Sequence, residues 1–184
     1  MDKIFNKKLI DVEKRKALSG EDILNLLDNK TNIMLYRDLY KYDNLDDVLG
    51  KYKSCVILYE TTEPLYGHWC VVFQQNPNTI EFMDSYGYLI DNEISIDFMN
   101  RHIIDKFYSK GPILRRLIYY SKYKYIIYNN YQLQERVKGI NTCGRWVVCR
   151  LLFRDLTLEE FINFLTSFHM NLDDLVTIIT LLIE

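Results

Sequence analysis

The hydrophobic pattern of the chain changes period several times. In "LSGEDILNLLDNK" apolar positions recur at helical spacing behind Ser19, a candidate N-cap with Asp22 three residues on, predicting a short helix over 20–29. "LDDVLGKY" predicts a second short helix ending near Gly50. The period then shortens: "SCVILYE" (54–60), "HWCVVFQ" (68–74) and "TIEFMD" (79–84) are apolar or alternating runs rich in β-branched and aromatic residues, and they predict strands. "TTEPLYG" and "QNPN" between them are turn material, and the last two strands form a hairpin around Asn76-Pro77-Asn78. Residues 91–109 read as helical and "YKYIIYNN" (123–130) as a further strand. After Cys143 the chain reads as helical to its end. "RWVVCRLLFRD" is apolar almost all round, as in a central helix beneath a sheet; "TLEEFINFLTSF" carries a Thr157/Glu160 capping box, and "NLDDLVTIITLLI" is capped by Asn171. The expected class is α+β: a mostly antiparallel central sheet packed on a central helix that starts at Cys143, with flanking helices.

Composition narrows the setting. A chain of 184 residues, 48% hydrophobic and 26% charged, with no linker or repeat, reads as one domain over 1–184. The net charge of -2 gives no footprint for nucleic acid. The locally basic run "KFYSKGPILRRLIYYSKYKY" (106–125) reads as a solvated edge threaded with strand residues. No apolar run reaches the ~18 residues of a membrane span, and "MDKIFNKKLIDVEKRK" lacks the layout of a signal peptide, so no membrane partner and an intracellular location are expected. Four cysteines without CxxC spacing and three histidines argue against structural zinc, and no cofactor is implied.

Cys143 can be an ordinary core cysteine or a nucleophile at a helix start, and a nucleophile needs partners. The thiolate is the reactive form, favoured by a helix N-terminus and a nearby imidazolium. Gly144 after it leaves room for a substrate backbone, and first-turn N–H groups can serve a developing oxyanion. His102 reads as a surface-helix residue and His169 as a junction residue, whereas His68 opens a strand just after Gly67. Asp84 ends the hairpin partner, so the two are expected as neighbours on the rim of the sheet, either as an ion pair or as base and orienter. Gln132 and Gln134 precede Cys143 and offer an amide donor for the oxyanion. Cys70 and Cys149 read as small core hydrophobes.

In chain order, "GHWCVVF", "EFMDSYG", "YQLQ" and "NTCGRWVV" resemble the adenovirus-protease-like and SUMO-protease-like cysteine peptidases over residues 54–154. The resemblance implies that fold, with Cys143 as nucleophile, His68 as general base, Asp84 as its orienter, and a glutamine amide plus the Cys143 N–H as oxyanion hole. Trp69 matches the tryptophan that lines the substrate channel in the family, or else simply covers the core. Gln134 is the preferred glutamine, although it stands nine residues before Cys143 and Gln132 eleven, farther than the usual spacing. The texture rich in Asn, Ile, Tyr and Lys, in a short chain, resembles a viral member.

The activity implied by the resemblance is peptide- or isopeptide-bond hydrolysis through an acyl-thioester on Cys143. The expected partner is a protein substrate, either a viral structural precursor or a ubiquitin-like conjugate, with a peptide or protein activator left open. The expected location is host cytoplasm, nucleus or virion. An acyltransferase of the same fold and a catalytically retired binding module are the alternatives.

Overall fold

In a computed structural model describing residues 6–63, 65–92 and 111–184, five strands form one mixed sheet between two helical layers. The elements are α1 (Lys7–Glu13), α2 (Gly20–Leu26), β1 (Asn32–Leu35), a 3₁₀ turn (Tyr36–Lys41), α3 (Leu45–Leu49), β2 (Ser54–Glu63), β3 (Tyr66–Asn76), β4 (Thr79–Asp84), α4 (Ile113–Tyr119), β5 (Tyr125–Tyr128), α5 (Cys143–Leu152), α6 (Leu158–Thr166) and α7 (Leu172–Leu181). The predicted helix over 91–109, with His102 in it, lies outside the described residues beyond Asn92.

The strands stand in the order β1-β2-β3-β4-β5. β2, β3 and β4 pair antiparallel, while β1 runs parallel to β2 and β5 parallel to β4. The expected mostly antiparallel sheet is therefore corrected to a mixed one. Both outer strands reach the sheet through crossovers, which parallel pairing requires. β1 and α1 are additions to the predicted elements, β2 runs on through the supposed turn residues, and β3 starts at Tyr66, two residues before His68. The basic run 106–125, expected as strand edge, contains helix α4: Ile113, Leu114, Leu117 and Ile118 make one buried stripe at helical spacing, and Arg115 and Arg116 face outward.

Alternation sorts the strand residues into two faces. Cys55, Ile57, Tyr59, Cys70, Val72, Ile80 and Phe82 pack against the 3₁₀ turn, α3 and α4. Val56, Leu58, Trp69, Val71, Phe73 and Met83 pack against α2, α5, α6 and α7. With both faces covered, the central strands read as continuous apolar runs rather than as alternating ones. α5 is enclosed along almost its full length, and its two arginines are buried with it. Arg145 pairs with Glu13 of α1, and Arg150 pairs with Glu81 of β4. A helix buried all round thus carries charge only where a neighbouring element supplies a carboxylate.

Candidate active site

The site is built where β3, β4 and the start of α5 converge. Cys70 lies opposite Asp84, so His68, two residues earlier on β3, shares the face of Asp84. His68 Nε2 stands 2.9 Å from Asp84 Oδ1. The same carboxylate oxygen accepts the Tyr86 N–H at 2.7 Å. The Tyr86 ring stacks on the imidazole, centroids 4.4 Å apart and planes 16° from parallel. A carboxylate at one edge and a phenol on one face therefore hold the ring. Cys143 lines the same cleft as His68, and its side chain favours the charged form of the imidazole.

Burial pushes the His68 ring toward neutrality, but the field of Asp84, the sulfur of Cys70 and the hydrogen bonds to Asp84 and Cys143 outweigh it. The imidazolium is held well above the ordinary 6.5. Cys143 is the first residue of α5, 8% exposed at the floor of an open cleft of about 810 Å³. The N-caps of α1, α2, α3, α6 and α7 each accept a first-turn N–H with a side chain. Thr142, the N-cap of α5, does not; its hydroxyl donates to Asp173 instead. Among the described residues no side chain caps the helix start at the cysteine, which leaves its N–H groups to an incoming oxygen.

Gln134 is fully buried and lines the same cleft. The Ser85 hydroxyl donates to its Oε1 at 2.7 Å, which turns Nε2 the other way. Nε2 reaches Tyr86 Oη and the Ile140 carbonyl, each at 3.3 Å, long enough to be exchanged for a stronger acceptor. Gln132 is exposed, and its amide donates to the Gln134 carbonyl. Of the two glutamines, only Gln134 lines the cleft.

Trp69 lines the cleft from the opposite face of β3, and its indole N–H donates to the Leu18 carbonyl at 3.0 Å. Gly144 does not line it. A Cβ there would come within 2.9 Å of Leu18 Cβ and 3.4 Å of the Trp69 ring, so the missing side chain makes room for Leu18 and Trp69. His169 is exposed in the turn between α6 and α7 and does not line the cleft. Cys149 is buried against α7, and burial pushes its thiol up.

Several residues without a sequence signal fix this geometry. The Asn129 side chain, just past β5, accepts the Asp84 N–H at 3.0 Å and donates to the Asp84 carbonyl at 2.6 Å, clamping the residue that orients His68. Asp173, at the start of α7, accepts the Thr142 hydroxyl, the Trp146 indole N–H and the Glu135 N–H. It thereby ties the loop before Cys143 to the helix layer. In "DSYG" every residue is used: Asp84 and Tyr86 on the imidazole, Ser85 on Gln134, and Gly87 at φ +76. A Cβ at Gly87 would lie 2.5 Å from the Tyr131 carbonyl carbon.

His68, Cys70 and Asp84 each offer a donor atom within 4.8 Å of the others, the geometry of a three-point cation site. A metal held through His68 Nε2 and Asp84 Oδ1 would replace the hydrogen bond between them.

The uncharacterized protein V9 of Sputnik virophage is 42% identical to this chain over 170 residues, covering 90% of the chain and 94% of that protein. The chain belongs to its family. No protein-family model matches. The relative is a viral protein, in keeping with the expected viral character. No helix among the described residues is long and apolar enough to cross a membrane.

Proposed function

We propose that this virophage-related protein is a cysteine peptidase with the adenovirus-protease-like and SUMO-protease-like fold, cutting peptide or isopeptide bonds within a single domain. The observation that carries the reading is the placement of His68 between Asp84 and Cys143 at an open cleft, with the cysteine opening a helix. A sulfur in this position attacks the substrate carbonyl, forming the C–S bond, and the carbonyl electron pair moves onto oxygen. The Cys143 N–H and Gln134 Nε2 receive that oxyanion. His68, holding the thiol proton, passes it to the departing amine as the C–N bond breaks, leaving an acyl-thioester. Water then loses a proton to His68, adds to the thioester and releases the acid, and the sulfur recovers the proton. Asp84 keeps the imidazole oriented and stabilises its charged form throughout.

Substrates consistent with this reading are a viral structural precursor or a ubiquitin-like conjugate, met in the infected cell or in the particle. The test is mass spectrometry after treatment with ubiquitin and SUMO C-terminal electrophiles, alongside iodoacetamide. The expected result is selective modification of Cys143, lost in His68→Ala. Cys143→Ala is expected to abolish hydrolysis of any substrate found; persistence of hydrolysis in that variant would refute the mechanism.

A further inference from the structure

The cleft differs in charge from the molecule around it. The chain carries a net charge of -2, yet no Asp or Glu is among the described residues that line the cleft, whereas Arg136 and Lys138 are. Arg136 is exposed but held in place. Its Nη2 donates to the Tyr86 carbonyl at 2.7 Å, and its guanidinium lies 4.2 Å from the Tyr88 ring centroid and 5.3 Å from that of Tyr86. Tyr86 in turn stacks on His68. Arg136 is thus separated from the catalytic imidazole by a single ring. Among the described residues neither Arg136 nor Lys138 pairs with a carboxylate, although the surface carries many. A guanidinium laid on aromatic rings keeps its edge donors for a planar, two-oxygen acceptor, and little side-chain freedom remains to be lost when one binds.

Resting on the peptidase reading above, we propose that Arg136 and Lys138 form a carboxylate-binding subsite of the cleft, and that the substrate is a protein segment with an Asp or Glu side chain beside the scissile bond. The ring stack between Arg136 and His68 places that acidic residue within about three residues of the attacked carbonyl in an extended segment. Ile33, Leu35, Leu58 and Trp69, which also line the cleft, are apolar, so an acidic side chain finds its cationic partners at Arg136 and Lys138. Such a cleft also repels basic segments, which sharpens selection against them.

The test profiles cleavage of a proteome-derived peptide library by the full chain. It then compares kcat/KM for matched peptides differing by Glu against Gln at the selected position. The wild type should favour the Glu peptide by about tenfold, the scale of one charge-assisted hydrogen-bond pair at a partly exposed site. Arg136→Gln should remove most of that ratio, and Arg136→Lys should keep part of it. Lys138→Glu should lower the ratio too, and it disturbs no described side-chain contact if Arg136→Gln fails to fold. A wild-type profile without acidic enrichment, with a ratio unmoved by these substitutions, overturns the subsite. If no peptide is cut, the peptidase reading fails separately. The subsite is then read from the rates at which iodoacetate and iodoacetamide alkylate Cys143. A several-fold fall in the iodoacetate-to-iodoacetamide ratio in Lys138→Glu supports it, and an unchanged ratio overturns it.

Discussion

A histidine as enclosed as His68 would ordinarily shed its proton, and here the partners reverse that tendency. Because the folded-state value lies above the ordinary 6.5, the native state binds the proton more tightly than the unfolded chain does. The stability contributed by this pairing is fully present below pH 6.5 and is lost as the pH rises through the folded-state value. An NMR titration of the His68 ring should find it charged above 6.5, and Asp84→Asn should move the titration downward; a ring that titrates identically in both proteins would remove Asp84 from the orienting role. The same scale separates the two glutamines. Gln134→Ala should lower kcat by about a hundredfold or more, as loss of one oxyanion donor does, while Gln132→Ala, which loses an exposed bond to a backbone carbonyl, should cost far less. Equal losses in the two variants would contradict this assignment. His68, Asp84 and Cys143 are legible in the sequence because hairpin pairing is local and a helix start leaves a mark. Gly144 is not, since only the fold brings Leu18 against it. Asn129 and Asp173 leave no sequence signal, as each acts on a residue more than twenty positions away.

At the scale of elements, the rim of the candidate site depends on how β4 ends. Thr79 to Phe82 are held by the parallel ladder with Tyr125 to Tyr128, and beyond that ladder Asn129 replaces it with two side-chain bonds to the Asp84 backbone. Asn129→Leu keeps the approximate volume but leaves a buried N–H and C=O without that partner, at a cost of about 1–3 kcal/mol each. Urea denaturation should register a loss of that order, and iodoacetamide labelling of Cys143 should slow as His68 loses its fixed orienter. A variant with full stability and unchanged labelling would show that β4 keeps its end geometry unaided. The strands β2, β3 and β4 are legible from pattern and have partners adjacent in sequence; β5 is legible as well, from its own apolar and aromatic run, although its partner β4 is distant in sequence. β1 is four residues long and pairs with a strand some twenty residues on, so nothing local distinguishes it. α4 is hidden by composition: "ILRRLIYY" is rich in β-branched and aromatic residues, and only its 113, 114, 117, 118 spacing betrays the helix.

At the scale of the whole molecule, the described residues form three layers, and the two interfaces between them are joined differently. The layer of α3 and α4 meets the sheet through apolar packing and a polar knot in which Tyr36, Tyr59 and the Arg115 N–H converge on buried Asp91. The α5 layer meets it through an ion pair at zero exposure: Arg150 Nε to Glu81 Oε1 at 2.6 Å and Nη2 to Oε2 at 2.8 Å. The remaining Arg150 donors reach the Phe153 and Leu156 carbonyls, both at 2.8 Å, and the guanidinium sits 5.0 Å from the Phe73 and Phe161 ring centroids. Both carboxylate oxygens and all three guanidinium nitrogens are engaged, so the desolvation of two charges is offset only while both remain. Glu81→Ala should therefore destabilise the fold by about 3–5 kcal/mol, because it strands a buried guanidinium. Arg150→Met with Glu81→Leu should recover most of that loss, since matched apolar side chains suit the same space. A double-mutant cycle by urea denaturation separates the two costs. If Glu81→Ala cost no more than a surface substitution, the helix carrying Cys143 would be held to the sheet by apolar packing alone. Its register against His68 would then rest on the contacts around Trp69 and Val147 rather than on the ion pair.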